Sequence, residues 1–325
     1  MKRRKLSIFL RSFAFLTITP AVTFLLCGCV FHEGYFVTGA DLYSPAKNPF
    51  QDPLYVSPAG NTAEPESFTF LLFTDTHFIR PDSGVYYATE AFENWLSSDE
   101  TRALSIEFAL CLGDATDDSF ESEYLTYVRF VEKLDTVYGL TCYSVMGNHD
   151  NRGSGTDRWK KHINTPPYYR FVHKGISFYM LDTSYRTLGK KQMGYLSETI
   201  AEDGNQKLFC THFPLYGKPD LFYFALADTQ ERNLIIKLMT KNNVGMYLSG
   251  HHHKGDVVYQ YTDTCTEFIA GAFHGRDNIL EGPARWYVCQ YDASRNTLKI
   301  TRHTKYNSTS SVDDIEKTCM GIFQL

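Results

Sequence analysis

The sequence predicts an α/β fold, a four-layer α/β/β/α sandwich of two mixed sheets, and three features of the pattern carry that prediction. Between residues 68 and 249, apolar β-type runs alternate with segments of helical spacing, as parallel strands joined by crossover helices require. Beyond residue 253, strand patterns follow one another without helices, which calls for two sheets packed face to face with the helices outside. Five runs end on short polar clusters: Asp75-Thr76-His77, Gly113-Asp114, Gly147-Asn148-His149-Asp150, Thr211-His212 and Gly250-His251-His252-His253. Ligands of such sheets sit at the carboxyl ends of strands, so side chains far apart in sequence converge there on one crevice.

Taken in order, the strand runs read Phe68 to Thr74, Ile106 to Leu112, Thr141 to Met146, Lys207 to Cys210 and Val244 to Ser249. Helical apolar spacing covers Val85 to Leu96 and Phe120 to Val137, each after a polar cluster, and then Gln192 to Ile200 and Thr229 to Thr240. Tyr168 to Val172 and Ile176 to Asp182 flank Lys174-Gly175 and read as a hairpin. The late strands are Asp256 to Tyr261, Glu267 to Ala270, Arg285 to Tyr291 and Leu298 to Arg302, the last two joined by a turn at Asp292 to Asn296. The Ser- and Thr-rich tail from Asn307 is expected to carry no fixed structure.

A chain of 325 residues with one continuous motif series suits a single large domain, placed at 67–305 and followed by the tail at 306–325. A net charge of −5 without long like-charge blocks leaves no basic stripe for a nucleic acid polymer, while a small anionic ligand stays open. Residues 1–28 read as an export signal, with Lys2-Arg3-Arg4-Lys5 before an apolar stretch that Pro20 interrupts and that is too short to span a bilayer. Leu26-Cys27-Gly28-Cys29 resembles the bacterial lipobox, which implies Cys29 as the acylated first residue of an exported, membrane-anchored lipoprotein; a cleaved, released protein is the alternative. Residues 29–66, rich in Pro, form a tether or apron whose aromatic residues, Phe50 among them, are expected to pack down in part. Cys111, Cys142 and Cys210 lie inside core strands and are expected to be free thiols, whereas Cys265 and Cys289 fall on late strands that are candidates for neighbours.

The ordered pattern D-x-H, G-D, G-N-H-D, H and G-H-x-H resembles that of the calcineurin-like metallophosphoesterase family, in motif order from about Phe68 to His253. The resemblance implies that Asp75, His77 and His253 bind one metal, that Asn148, His212 and His251 bind a second, and that Asp114 bridges them. Manganese, iron or zinc would fill such a mixed Asp, His and Asn set. It also implies hydrolysis of small phosphate mono- or diesters by a hydroxide held between the metals, with His149 giving a proton to the leaving alkoxide. Asp117, three residues after Asp114, matches the acid that orients this histidine in family members, with Asp150 competing for the role. The arginine that follows G-D-x-x-D in the family's protein phosphatases is missing, because Asp118 and Ser119 stand there. Arg152, His274 and Arg276 are the candidates for substrate contact, and the aromatic residues after His212 for a base-stacking lid. Two rival functions remain at this point: a non-catalytic surface lipoprotein using the fold for binding, and a nucleotide or cyclic-nucleotide phosphodiesterase.

Overall fold

The strand Phe68–Phe73 is buried at every position, apolar but for Thr69, because both of its faces are covered. In the computed structural model, which describes residues 49–50, 64–78, 87–164, 166–216, 225–274, 283–306 and 310–325, that strand (β1) sends Phe68, Phe70 and Leu72 to one side and Leu71 and Phe73 to the other. The next strands repeat the alternation: β2 (Ile106–Cys111) and β3 (Cys142–Ser144) follow β1 in parallel. The hairpin β4 (Tyr169–His173) and β5 (Ile176–Met180) opens a second sheet, continued by β6 (Gln206–Cys210), β7 (Val244–Ser249), β8 (Val257–Thr262) and β9 (Cys265–Ile269). The chain then returns to the first sheet through β10 (Ala284–Asp292), β11 (Thr297–Lys305) and β12 (Glu316–Gln324).

The strand orders are β12-β11-β10-β1-β2-β3 and β4-β5-β6-β7-β9-β8. Within each sheet the strands that carry the polar clusters run parallel, and antiparallel strands flank them. Phe70, Leu110, Phe178, Leu208, Leu248 and Tyr287 belong to one buried cluster drawn from both sheets, so the main core is the layer between them. Over the outer face of the first sheet lie α1 (Tyr87–Leu96), the short α2 (Asp99–Ala103) and α3 (Glu121–Tyr138), where Phe92, Trp95 and Phe130 meet Phe73 and Trp286. On the outer face of the second, Leu196 of α5 (Gly189–Glu202) and Ile235 of α6 (Thr229–Lys241) meet Tyr179, Phe209 and Tyr247. One further helix, α4 (Gly155–His162), closes over the third polar cluster through Trp159. The four-layer α/β/β/α sandwich is thus present.

The sequence reading left the tail from Asn307 unstructured, and Glu316–Gln324 instead pairs antiparallel with β11. It is an edge strand whose first half is polar, Glu316 to Thr318, and whose short run from Cys319 to Phe323 is too brief to read as a strand, yet its backbone completes the ladder. Cys265 and Cys289 stand on different sheets, and all six cysteines of the described residues are free thiols. Phe50 is fully buried against Tyr168 and Tyr179, as expected for part of the Pro-rich apron. The export signal, Cys29, most of the tether, the start of the first helix at Val85, and the aromatic loop of Phe222, Tyr223 and Phe224 lie outside the described residues. No helix among the described residues is long and apolar enough to cross a membrane.

Candidate metal centre

The loops leaving the parallel strands are tied to one another by backbone bonds before any side chain is considered. The Asp75 amide donates to the Gly113 carbonyl at 2.9 Å, the His77 amide to Asp114 at 3.0 Å, and the Gly250 amide to His212 at 3.0 Å. Between the sheets, the His251 amide donates to Asp75 Oδ2 at 3.0 Å. Asp75, His77, Asp114 and His251 all take the left-handed conformation, with φ of 52°, 43°, 49° and 64°. Asp and His tolerate it better than most side chains, and such strain persists only where surrounding contacts hold it, as in ligand sites. Two glycines make the close approach feasible. A Cβ on Gly147 would strike the Asp114 carboxylate and amide, and one on Gly250 would strike the Thr74 hydroxyl and Asp75 Oδ2.

Two adjoining donor groups result. Asp75, His77, Asp114 and His253 place one ligand atom each within 4.8 Å of one another, and so do Asp114, His212 and His251. Asp114 belongs to both: its Oδ2 lies 3.6 Å from His77 Nε2 and 3.2 Å from His212 Nε2, while Oδ1 accepts the His149 amide at 2.8 Å. Asp75 Oδ1 is 3.3 Å from His253 Nε2, and the Nε2 atoms of His77 and His253 are 3.1 Å apart. Asn148 sits between Gly147 and His149, with Oδ1 buried. Among the described residues that oxygen, Asp75 Oδ1, Asp114 Oδ2 and His212 Nε2 have no hydrogen-bond partner. A buried acceptor oxygen left so costs about 1–3 kcal/mol, and cations at the two donor groups would offset that cost for the carboxylates. The residues present therefore fit metal ligation.

Outer bonds set each ring. His212 Nδ1 donates to the Leu112 carbonyl at 2.8 Å, and His77 Nδ1 to Asp117 Oδ1 at 3.1 Å, so both present Nε2 to the site. The amides of His212 and Phe213 donate to Thr183 Oγ1 at 3.1 and 2.9 Å. Thr183 escaped the sequence reading, although it follows β5, a strand parallel to β6 that ends at the same edge. Asp150 is buried and accepts from the amides of Ala115, Thr116 and Gly147 and from the Thr116 hydroxyl. Its carboxyl, pushed up to about 6 by burial and the nearby Asp114 charge, ties the second loop to the third; the bonds it accepts come from backbone amides and the Thr116 hydroxyl, not from the His149 ring.

Asp117 stands beside the His149 ring as the expected pairing requires, but its carboxylate lies closer to His77. The Asp117 carboxylate serves His77, and lies 3.8 Å from His149 Nδ1; it is the Asp117 backbone carbonyl that accepts from His149 Nδ1, at 2.6 Å. Arg152 stands beside the same ring: its Nη2 donates to His149 Nε2 at 2.9 Å, and its Nη1 donates to Asp118 Oδ1 at 2.7 Å. His274 is buried next to His77 and His253 instead of overhanging the cleft. Arg276 lies outside the described residues.

The charges within the site are arranged for cations. Burial works against ionised Asp75 and Asp114, but the histidines beside them hold both carboxyls below the usual range. Burial likewise opposes charge on His77 and His212, yet the carboxylates of Asp117, Asp75 and Asp114 lift them to about 10 and about 9. His251 is pushed down to about 3 by burial and the His212 charge, so it is a ready neutral donor. Without metal, His77 and His212 carry protons at pH 7, and ligation must displace both. Filling the site is expected to release about two protons and to gain affinity by roughly a hundredfold per pH unit near neutrality. Calorimetry in buffers of different ionisation enthalpy reads the count, and a release of none at pH 7 would contradict this electrostatic picture.

The model of the calcineurin-like phosphoesterase family matches residues 68–255, the span that carries all five clusters. Among solved structures, GAP50, described as the anchor in the inner membrane complex of Plasmodium, aligns with a TM-score of 0.51 at 14% identity, covering 78% of this chain and 89% of that one. Vacuolar protein sorting 29 from Cryptosporidium parvum aligns with a TM-score of 0.45 at 12% identity, over 80% of this chain and 99% of that one. Vps29 from Chaetomium thermophilum gives 0.41 at 14%, over 79% and 95%. No curated protein matches the chain. Because the family model spans more than half of the sequence and the fold agrees with it, the chain belongs to the calcineurin-like phosphoesterase family.

Proposed function

We propose that the chain is a metal-dependent phosphoesterase, holding two cations and hydrolysing phosphate mono- or diesters of small molecules. One observation carries the reading: two donor groups, sharing Asp114 and drawn from strand ends of both sheets, adjoin a histidine outside both groups, His149. The first cation would be held by Asp75, His77, Asp114 and His253, and the second by Asp114, Asn148, His212 and His251. When bound, divalent cations stabilise charge on phosphoryl oxygens and make water acidic enough to attack at neutral pH. Mixed Asp, His and Asn donors suit manganese, iron or zinc.

The chain's own residues supply the proton and the grip. His149 Nδ1 is fixed by the Asp117 carbonyl, which leaves Nε2 as the atom that, once it has taken a proton from solvent, gives it to the departing alkoxide as the bond to phosphorus breaks. In the ligand-free arrangement Arg152 donates to that nitrogen, so a phosphoryl oxygen that takes over the guanidinium hands Nε2 to the leaving group.

The substrate class is tested on protein loaded in turn with manganese, iron and zinc, comparing bis(p-nitrophenyl) phosphate with p-nitrophenyl phosphate. Hydrolysis of either, abolished by chelation, is the expected result, and the ratio assigns diester or monoester preference. No turnover with any metal would return the chain to the binding role. The basic and apolar amino terminus with Leu26-Cys27-Gly28-Cys29 supports the further reading that the enzyme is exported and anchored by lipid on Cys29. Radiolabelled palmitate incorporation, lost in Cys29→Ser, checks it.

A further inference from the structure

His274 follows β9, which runs parallel to β7 and so delivers its carboxyl end to the same edge as the GHxH cluster. Its backbone is pinned there. The Phe273 amide donates to the Thr74 carbonyl at 2.8 Å, the His274 amide to the Asp75 carbonyl at 3.3 Å, and the Phe273 ring packs among Phe73, Phe92 and Trp286. The residue is 2% exposed, whereas the His149 side chain is 23% exposed, so His274 lies at the floor of the cleft and not its mouth. Its ring centroid lies 4.8 Å from that of His77 and 5.0 Å from that of His253, and the three offer ligand nitrogens all within 4.8 Å of one another. His274 Nδ1 donates to the Asp75 carbonyl at 2.8 Å. In the neutral ring this places the lone pair on Nε2, the same arrangement that His212 obtains from the Leu112 carbonyl.

We infer that His274 is a metal ligand, joining His77 and His253 at the first cation position, and that this position is the tighter of the two. The inference rests on the metal-centre reading above and extends it. Three imidazoles with the Asp75 carboxylate make a nitrogen-rich site, whereas the second position has Asn148, His212, His251 and the shared Asp114. Imidazole favours zinc, iron, cobalt or nickel over magnesium or calcium, so the first position selects a transition metal and fills first.

The test uses the full chain with cobalt(II). One equivalent added to the wild type is expected to give three hyperfine-shifted exchangeable N–H signals in proton NMR, one from each of His77, His253 and His274. His274→Asn keeps a side-chain donor for the Asp75 carbonyl but has no second nitrogen, and should show two signals and roughly a hundredfold weaker first-equivalent affinity. His274→Gln, which can place an amide oxygen near the lost Nε2, should recover part of that affinity. Unchanged signals and affinity in His274→Asn would overturn the ligand role while leaving the metal centre standing. Failure of the wild type to bind cobalt at all would overturn both.

Discussion

Asp114→Asn is expected to weaken cation binding at both positions together and to lower turnover by about 10³–10⁴-fold, about 4–5.5 kcal/mol of transition-state stabilisation. The reason is geometric. A single oxygen, Oδ2, lies within 3.6 Å of His77 Nε2 and 3.2 Å of His212 Nε2, so each donor group depends on the same charge. Asparagine keeps the shape and the acceptor for the His149 amide, so the fold should survive, as circular dichroism and thermal melting would show. Metal analysis after dialysis gives the first reading and steady-state hydrolysis the second. Retention of one tightly bound cation with the other lost would mean that the two groups do not share Asp114.

His149→Ala should separate proton transfer from metal binding. For an alkyl phosphate ester, whose alkoxide leaves poorly without a proton, the loss should be about 10²–10⁴-fold, while p-nitrophenyl esters should lose only a few-fold. Metal content should not change, because the ring is bound by the Asp117 carbonyl and Arg152 and lies outside the two donor groups that share Asp114. Burial, with the charges of His77 and Arg152, holds His149 below the ordinary imidazole value despite the Asp114 carboxylate. The protonated form therefore declines as pH rises through a value below about 6.5, and kcat/KM for alkyl esters should fall over that range in the wild type. His149→Ala should lack that limb. A variant that loses metal, or loses equally on both ester classes, would remove His149 from the acid role.

The polar clusters were legible because most follow strands buried on both faces, which write themselves as largely apolar runs such as Phe68 to Phe73. Once the strands were parallel, the meeting of Asp75, Asp114, His212 and His251 at one edge followed from topology. What the sequence did not disclose depends on loop courses of a few ångströms. Asp117 sits three residues after Asp114 as expected, but the path of the chain presents its carboxylate to His77 and its carbonyl to His149. Spacing alone cannot distinguish those two arrangements. Thr183 and His274 had a usable signal, since each follows a strand parallel to one bearing a cluster; that parallel pairing is a long-range fact which local patterning does not contain. The strand Glu316–Gln324 was missed for the opposite reason, because an edge strand stabilised by backbone pairing with β11 needs no apolar periodicity. The helix Gly155–His162 is eight residues long and largely polar, held by Trp159, and falls below what periodicity can reveal.

The central claim is a pair of cations sharing Asp114, and electron paramagnetic resonance of the manganese(II)-loaded protein tests it most directly. The account predicts that adding a second equivalent converts the isolated six-line signal of one bound ion into the broadened spectrum of an exchange-coupled pair, and that Asp114→Asn prevents the conversion. Two equivalents bound tightly with only isolated six-line signals, or no binding at all, would contradict it.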